Sequence, residues 1–205
     1  MRLFVAILPP PEALDELAAA ITPLRQAAPD LRWSGRQQWH LTLAFLGEAD
    51  QRVLPDLTAR LERAAGRHPA QSLAFAAGGA FPAARRARVL WAGVRADSKA
   101  LAALAASVAA GARRAGAASP DEGRRYHPHL TLAHCRRPGD VADLVGLLAD
   151  FAGTPWTAQS VSLMRSYLGS GQPRHEELAA WPLRTPSRQD SNRPGAPEPG
   201  TPGLP

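Results

Sequence analysis

The chain has 205 residues, enough for one sizeable core or two small lobes and too few for several independent domains. Hydrophobic residues make up 45% and charged residues 20%, the balance of a globular protein, and no apolar run approaches the length needed to cross a bilayer. The formal charge of +6 suits an anionic partner such as nucleic acid without proving one; among 24 basic residues only Lys99 is a lysine.

The first stretch, MRLFVAILPPP, is apolar from Leu3 to Leu8 and is stopped by prolines. It is too short for a signal peptide and reads as a buried strand. Glu12–Ala28 carries Leu14, Leu17, Ile21 and Leu24 at helical spacing, with Pro23 as a kink point. Leu31–Ser34 is a short strand candidate, and His40–Leu46 is a strand closed by Gly47. Asp50–Arg67 returns to helical periodicity. Leu73–Ala77 reads as a strand, Gly78–Pro82 as a loop, and Val89–Val94 as another strand.

Asp97–Ala117 is an alanine-rich helix, followed by a polar, basic loop at Ser119–Arg125. His129–His134 is a strand, Val141–Phe151 a helix, Ser160–Leu168 a strand, and Glu176–Leu183 a last weak strand. The expected organisation is one domain over residues 1–184. Residues 185–205 are rich in proline and hold Leu204 as their only large aliphatic side chain. A tail of that composition buries too little apolar surface to offset its ordering entropy, so it is expected to be disordered.

The pentapeptide HLTLA occurs twice, at His40–Ala44 and His129–Ala133, in a chain with only six histidines. In a strand, alternation puts His40, Thr42 and Ala44 on one face and Leu41, Leu43 and Phe45 on the other. The second copy follows the same parity. The leucines anchor each strand in a core, the His and Thr look outward, and the alanines leave space beside them. Two such strands facing one another would line a cleft with two imidazoles and two hydroxyls. One neutral and one protonated imidazole form a base and an acid near neutral pH. Thr42 and Thr131 would donate to oxygens that gather negative charge. These groups suit hydrolysis of a strained phosphodiester and call for no metal or cofactor. A metal reading would use His127, His129 and His134, but HExxH is missing and Cys135 has no CxxC partner. The single cysteine also excludes an intramolecular disulfide framework and fits a reducing, cytoplasmic compartment.

These residues resemble the 2H phosphoesterases, and among them the RNA 2′,3′-cyclic phosphodiesterases long called 2′-5′ RNA ligases. The similarity includes MRLFVAI at the start, LRW at Leu31–Trp33, HLTLAFLGE at His40–Glu48 and GAFP at Gly79–Pro82. It continues through RVLWAGV at Arg88–Val94, PHLTLA at Pro128–Ala133 and SLMRSYLG at Ser162–Gly169. The resemblance implies an α+β fold of two lobes, with pseudo-twofold-related antiparallel sheets and flanking helices around a central cleft. It implies metal-independent hydrolysis of an RNA-terminal 2′,3′-cyclic phosphate to a 2′-phosphate. His40 would be the proton donor, His129 the proton acceptor, and Thr42 and Thr131 the phosphate ligands. RNA is the implied partner, with no membrane and no obligate protein partner.

Two identical motifs do not by themselves say which histidine is acid and which base. Many relatives carry Arg at the position of His134, a Lys or Arg at Ala44, and Tyr at His175. Arg136 or Arg137 is a candidate for the missing cation, and Arg85, Arg86 and Arg88 for contact with an RNA backbone. Reversible joining of RNA ends, hydrolysis of a small cyclic phosphate, and non-catalytic binding of RNA ends remain as alternatives.

Overall fold

The computed structural model describes residues 1–117, 125–169 and 173–185. The basic loop after the third helix, apart from Arg125, and nearly all of the proline-rich tail lie outside these residues. The elements are β1 (Arg2–Ile7), α1 (Pro11–Ala27), β2 (Arg32–Trp33), β3 (Leu41–Glu48), α2 (Leu54–Ala65), β4 (Gln71–Phe81) and β5 (Ala87–Arg95). They continue with α3 (Ser98–Arg114), β6 (His129–Gly139), α4 (Ala142–Leu147), β7 (Trp156–Ala158), β8 (Ser160–Tyr167) and β9 (Arg174–Pro182).

The strands form two antiparallel sheets. Sheet A has the order β3-β1-β8-β9 and sheet B the order β2-β6-β5-β4-β7. Set β1 against β5 and β3 against β6, and the two orders coincide apart from the short edge strand β2. This is the α+β, two-sheet arrangement that the resemblance implies.

Each sheet buries one face against two helices, and the partners are exchanged. α1 follows β1 of sheet A, yet its Leu17, Ile21 and Leu24 pack with Phe75, Leu90 and Leu130 of sheet B. α3 follows β5 of sheet B, yet its Leu101, Leu104 and Val108 pack with Leu3, Val5 and Leu41 of sheet A. Buried leucines of this kind each contribute about 1.5–3 kcal/mol, so both sheets depend on helices sent across from the other side. α1 runs through Pro23 as one helix. α3 starts where the Asp97 side chain accepts from the Lys99 and Ala100 N–H groups.

Three expectations from sequence need correction. Gly78–Pro82 is not a loop: β4 continues to Phe81. The glycines serve close packing, since a Cβ on Gly79 would lie 2.2 Å from the Trp91 ring and one on Gly78 would lie 2.6 Å from Leu148. The helix expected over Val141–Phe151 is shorter, Ala142–Leu147. Phe151 instead joins a segment whose carbonyl receives the Ala77 N–H at 2.8 Å. The third is β7, whose three residues are too short to show a period and do not read as a strand in the sequence.

Candidate active site

Both pentapeptides sit on the cleft-facing side of their sheets, held from behind by leucine. Leu41, Leu130 and Leu132 are each 0% exposed and Leu43 is 4% exposed. Alternation does not hold across the whole motif, because each copy carries a β-bulge at the same place. β1 pairs Ala6 with Thr42 and Val5 with Ala44, leaving Leu43 as the extra residue. β5 pairs Trp91 with Thr131 and Leu90 with Ala133, leaving Leu132 as the extra residue. The bulge turns Ala44 and Ala133 into the cores and brings Phe45 and His134 onto the cleft side. Neither alanine lines the cleft itself, though Ala44 borders the hollow adjoining it, and Phe45 does not share the buried face of Leu41 and Leu43.

The cleft has a volume of about 410 Å³ and collects His40, Thr42, His129 and Thr131 from the two sheets. His134 and His175 line it as well, together with Arg2 and Arg32. Arg136 and Arg137 are exposed and do not line it. A broader hollow adjoins at Thr42, Phe45 and His129, with Arg88 and Arg125 on its wall.

Each motif histidine is gripped by the carbonyl two residues before it. The His129 Nδ1 lies 2.7 Å from the His127 oxygen. A carbonyl can only accept, so the proton of this contact is on Nδ1 and the neutral ring keeps its lone pair on Nε2. The His40 ring is hydrogen-bonded to the Gln38 backbone. The Gln38 side chain is itself fixed, accepting from the Gly35 N–H at 2.9 Å and donating to the Pro173 carbonyl at 2.7 Å.

The ring environments differ. His40 stacks on Phe4 with centroids 4.6 Å apart and meets His175 edge-on at 5.2 Å. Burial, and then the His175 charge, pull the His40 pKa down to about 4; the Gln38 carbonyl opposes them, and His129 adds a smaller push downward. His129 packs edge-on against Phe81 at 4.9 Å, beside Trp91 at 6.2 Å. His175, whose Nδ1 is buried with no hydrogen-bond partner, is also held below the ordinary histidine range by burial. Tyr126 lines the adjoining hollow. Its hydroxyl donates to the Thr42 carbonyl at 3.2 Å, joining the segment before the second motif to the strand of the first.

Sequence reasoning found the two histidines and two threonines that meet here. It missed Phe45, His134 as a cleft residue, Arg32 and Tyr126. The bulges that place Phe45 and His134 leave no mark in an apolar alternation, whereas HLTLAF and HLTLAH were visible as copies that diverge at the sixth residue.

Two matched sheets each bring a His-x-Thr pair to one cleft, the layout of a paired-histidine phosphoesterase. The chain belongs to the 2′-5′ RNA ligase superfamily, the 2H phosphoesterases, which residues 10–169 match. A Thermus thermophilus protein named RNA 2′,3′-cyclic phosphodiesterase is 30% identical over 202 residues, covering 95% of this chain and 97% of its own. An Escherichia coli protein of the same name is 31% identical over 147 residues, 70% of this chain and 75% of its own. Among solved structures, one from Thermus thermophilus superposes with a TM-score of 0.71 at 29% identity, covering 90% of this chain and 99% of that one. E. coli LigT in apo form gives 0.70 at 26% identity, covering 90% and 98%.

Proposed function

We propose that this protein hydrolyses the 2′,3′-cyclic phosphate at an RNA end to a 2′-phosphate, without a metal, using His40 as proton donor and His129 as proton acceptor. The observation that carries the reading is the delivery of two imidazoles, one from each sheet, to a single cleft. The names of the Thermus and E. coli relatives support the reaction. His129, neutral and with its Nε2 lone pair toward the chemistry, takes a proton from water as the water oxygen attacks phosphorus. The P–O3′ bond breaks, and His40 gives its proton to the departing 3′-oxygen. Thr42 and Thr131 donate to the non-bridging oxygens as their charge grows. Paired imidazoles supply both proton transfers, so a metal is not required to make the nucleophile or stabilise the leaving group.

His40 favours its neutral form in the empty cleft, with a pKa of about 4. A phosphate anion beside it offsets the burial penalty and raises that value, so the donor is charged by the substrate it serves. The half-exposed ring of Phe45 offers a face on which a base can stack, and the adjoining hollow with Arg88 suits a longer chain.

The test is a cyclic-phosphate oligonucleotide assayed in excess chelator. Turnover to a 2′-phosphate is expected, with His40→Ala and His129→Ala each lowering kcat by about 10²–10⁴-fold. A nitrophenyl phosphodiester, whose leaving group needs no proton, should largely restore His40→Ala and not His129→Ala. Loss of activity in chelator, a 3′-phosphate product, or rescue of the wrong variant would count against the mechanism. With a 5′-hydroxyl attacking phosphorus in place of water and the same P–O3′ bond breaking, the same groups would join RNA ends through a 2′-5′ bond, as the superfamily's name suggests. Water at its bulk concentration makes hydrolysis the dominant outcome.

A further inference from the structure

Four imidazoles and two arginines line the cleft, and among the described residues no carboxylate does. A dianionic transition state asks for a fixed positive charge, which a guanidinium provides at every pH and an imidazole does not. The bulge in β6 places His134 on the cleft side beyond Thr131, but burial and the Arg32 charge both hold its imidazole toward the neutral form. His134 can hydrogen-bond there without adding charge.

Arg32 is the register partner of His134 across β2 and β6. Residues directly opposite in an antiparallel pair leave the same face, with Cβ atoms about 4.5–5.5 Å apart. Arg32 thus projects from the sheet face that carries His129 and Thr131. Its backbone is tied down on both sides. The Trp33 indole N–H donates to the Ala28 carbonyl at 2.9 Å, and the Ser34 N–H donates to the Leu132 carbonyl at 2.8 Å. The Arg25 guanidinium donates to the Ser34 carbonyl at 2.8 Å and lies 5.5 Å from the Trp33 ring centre.

Arg36 pairs with Asp15, Arg52 with Asp50 and Arg60 with Asp56, while Arg32 is in no ion pair among the described residues. The other cleft arginine, Arg2, stands on β1 of the opposite sheet, between Glu48 of β3 and Ser166 of β8, and the Glu48 carboxylate is paired with the Met1 ammonium at 3.3 Å.

We propose that Arg32 is the fixed cation of the site, holding the non-bridging oxygens of the reacting phosphate together with Thr131 and His134. It rests on the cyclic-phosphodiesterase reading above and adds to it a substrate-binding residue. The guanidinium forms no covalent bond; it binds the anion and stabilises the extra charge of the five-coordinate phosphorus. Because it stands on β2, the charge comes from outside the repeated motif and marks the second motif's side of the cleft.

Arg32→Gln and Arg32→Lys test this, with the double variant Arg32→Gln/His134→Arg. Inorganic phosphate binding is measured by calorimetry and kcat/KM with the cyclic-phosphate oligonucleotide. Arg32→Gln is expected to weaken phosphate binding about tenfold and lower kcat/KM about 10²-fold, with Arg32→Lys between it and wild type. The double variant should recover much of the loss, since residue 134 shares the face. Phosphate binding and kcat/KM within about twofold of wild type in Arg32→Gln would overturn the proposal. A wild-type protein that binds phosphate through Arg32 yet turns over no cyclic phosphate would overturn the reaction and leave the arginine standing.

Discussion

His129 takes its orientation from two sources that reach it by different routes. Its Nδ1 is fixed by a carbonyl two residues back, and its ring lies against Phe81 and near Trp91. Trp91 in turn fits its six-membered ring over Gly79, where any side chain would collide with it. Gly79→Ala is therefore expected to push the indole toward the histidines. It should cost about 1–3 kcal/mol in denaturant unfolding and lower kcat more than it raises KM. Unchanged kcat with lowered stability would show that Trp91 only fills space. None of this was readable from the letters GG, which in isolation signal a turn. What identified His40 and His129 was repetition with a polar pair inside it, a pattern that an alanine- and leucine-rich background does not produce by itself.

The long helices were the most legible elements. α1, α2 and α3 each present an apolar stripe over three turns or more, and their limits came out within a few residues apart from the single 3₁₀ turn before α2. β7 is three residues long and shows no period to separate it from a loop, while α4 was read as a helix but, at six residues, is too short for its end to be fixed by one. The bulges matter most for function and were invisible, since one extra residue changes the facing of everything after it. Capping is the element-scale feature with the simplest test. Asp97 accepts from two N–H groups at the start of α3, the helix that covers sheet A. Asp97→Ala should lower stability by about 1 kcal/mol while leaving kcat unchanged, checked by urea unfolding and by the oligonucleotide assay. A larger loss, or a change in kcat, would mean that α3 does more than cover the sheet.

At the scale of the molecule, histidine burial links stability to pH. His40, His68, His134 and His175 are all held below the ordinary value, chiefly by burial. Lowered values in the fold mean that the unfolded chain binds more protons as pH falls below about 6.5. The stabilisation is thus complete above about 6.5 and is lost progressively toward pH 4. For His40 it amounts to about 3 kcal/mol. Melting temperature should fall between pH 6.5 and 4.5, above most carboxylate titration, and His40→Phe should flatten the slope. A flat wild-type profile would contradict the burial of these rings.

The exchange of α1 and α3 between the sheets has a mechanical meaning. A polypeptide that crosses from one layer to the other and back is laced shut, and pulling the layers apart would drag buried leucines out of both cores at once. The separation of the two motif histidines is then a built gauge rather than the position of a hinge. Substrates would be admitted by how well one phosphoryl group fits that gap, not by how far the jaws can open.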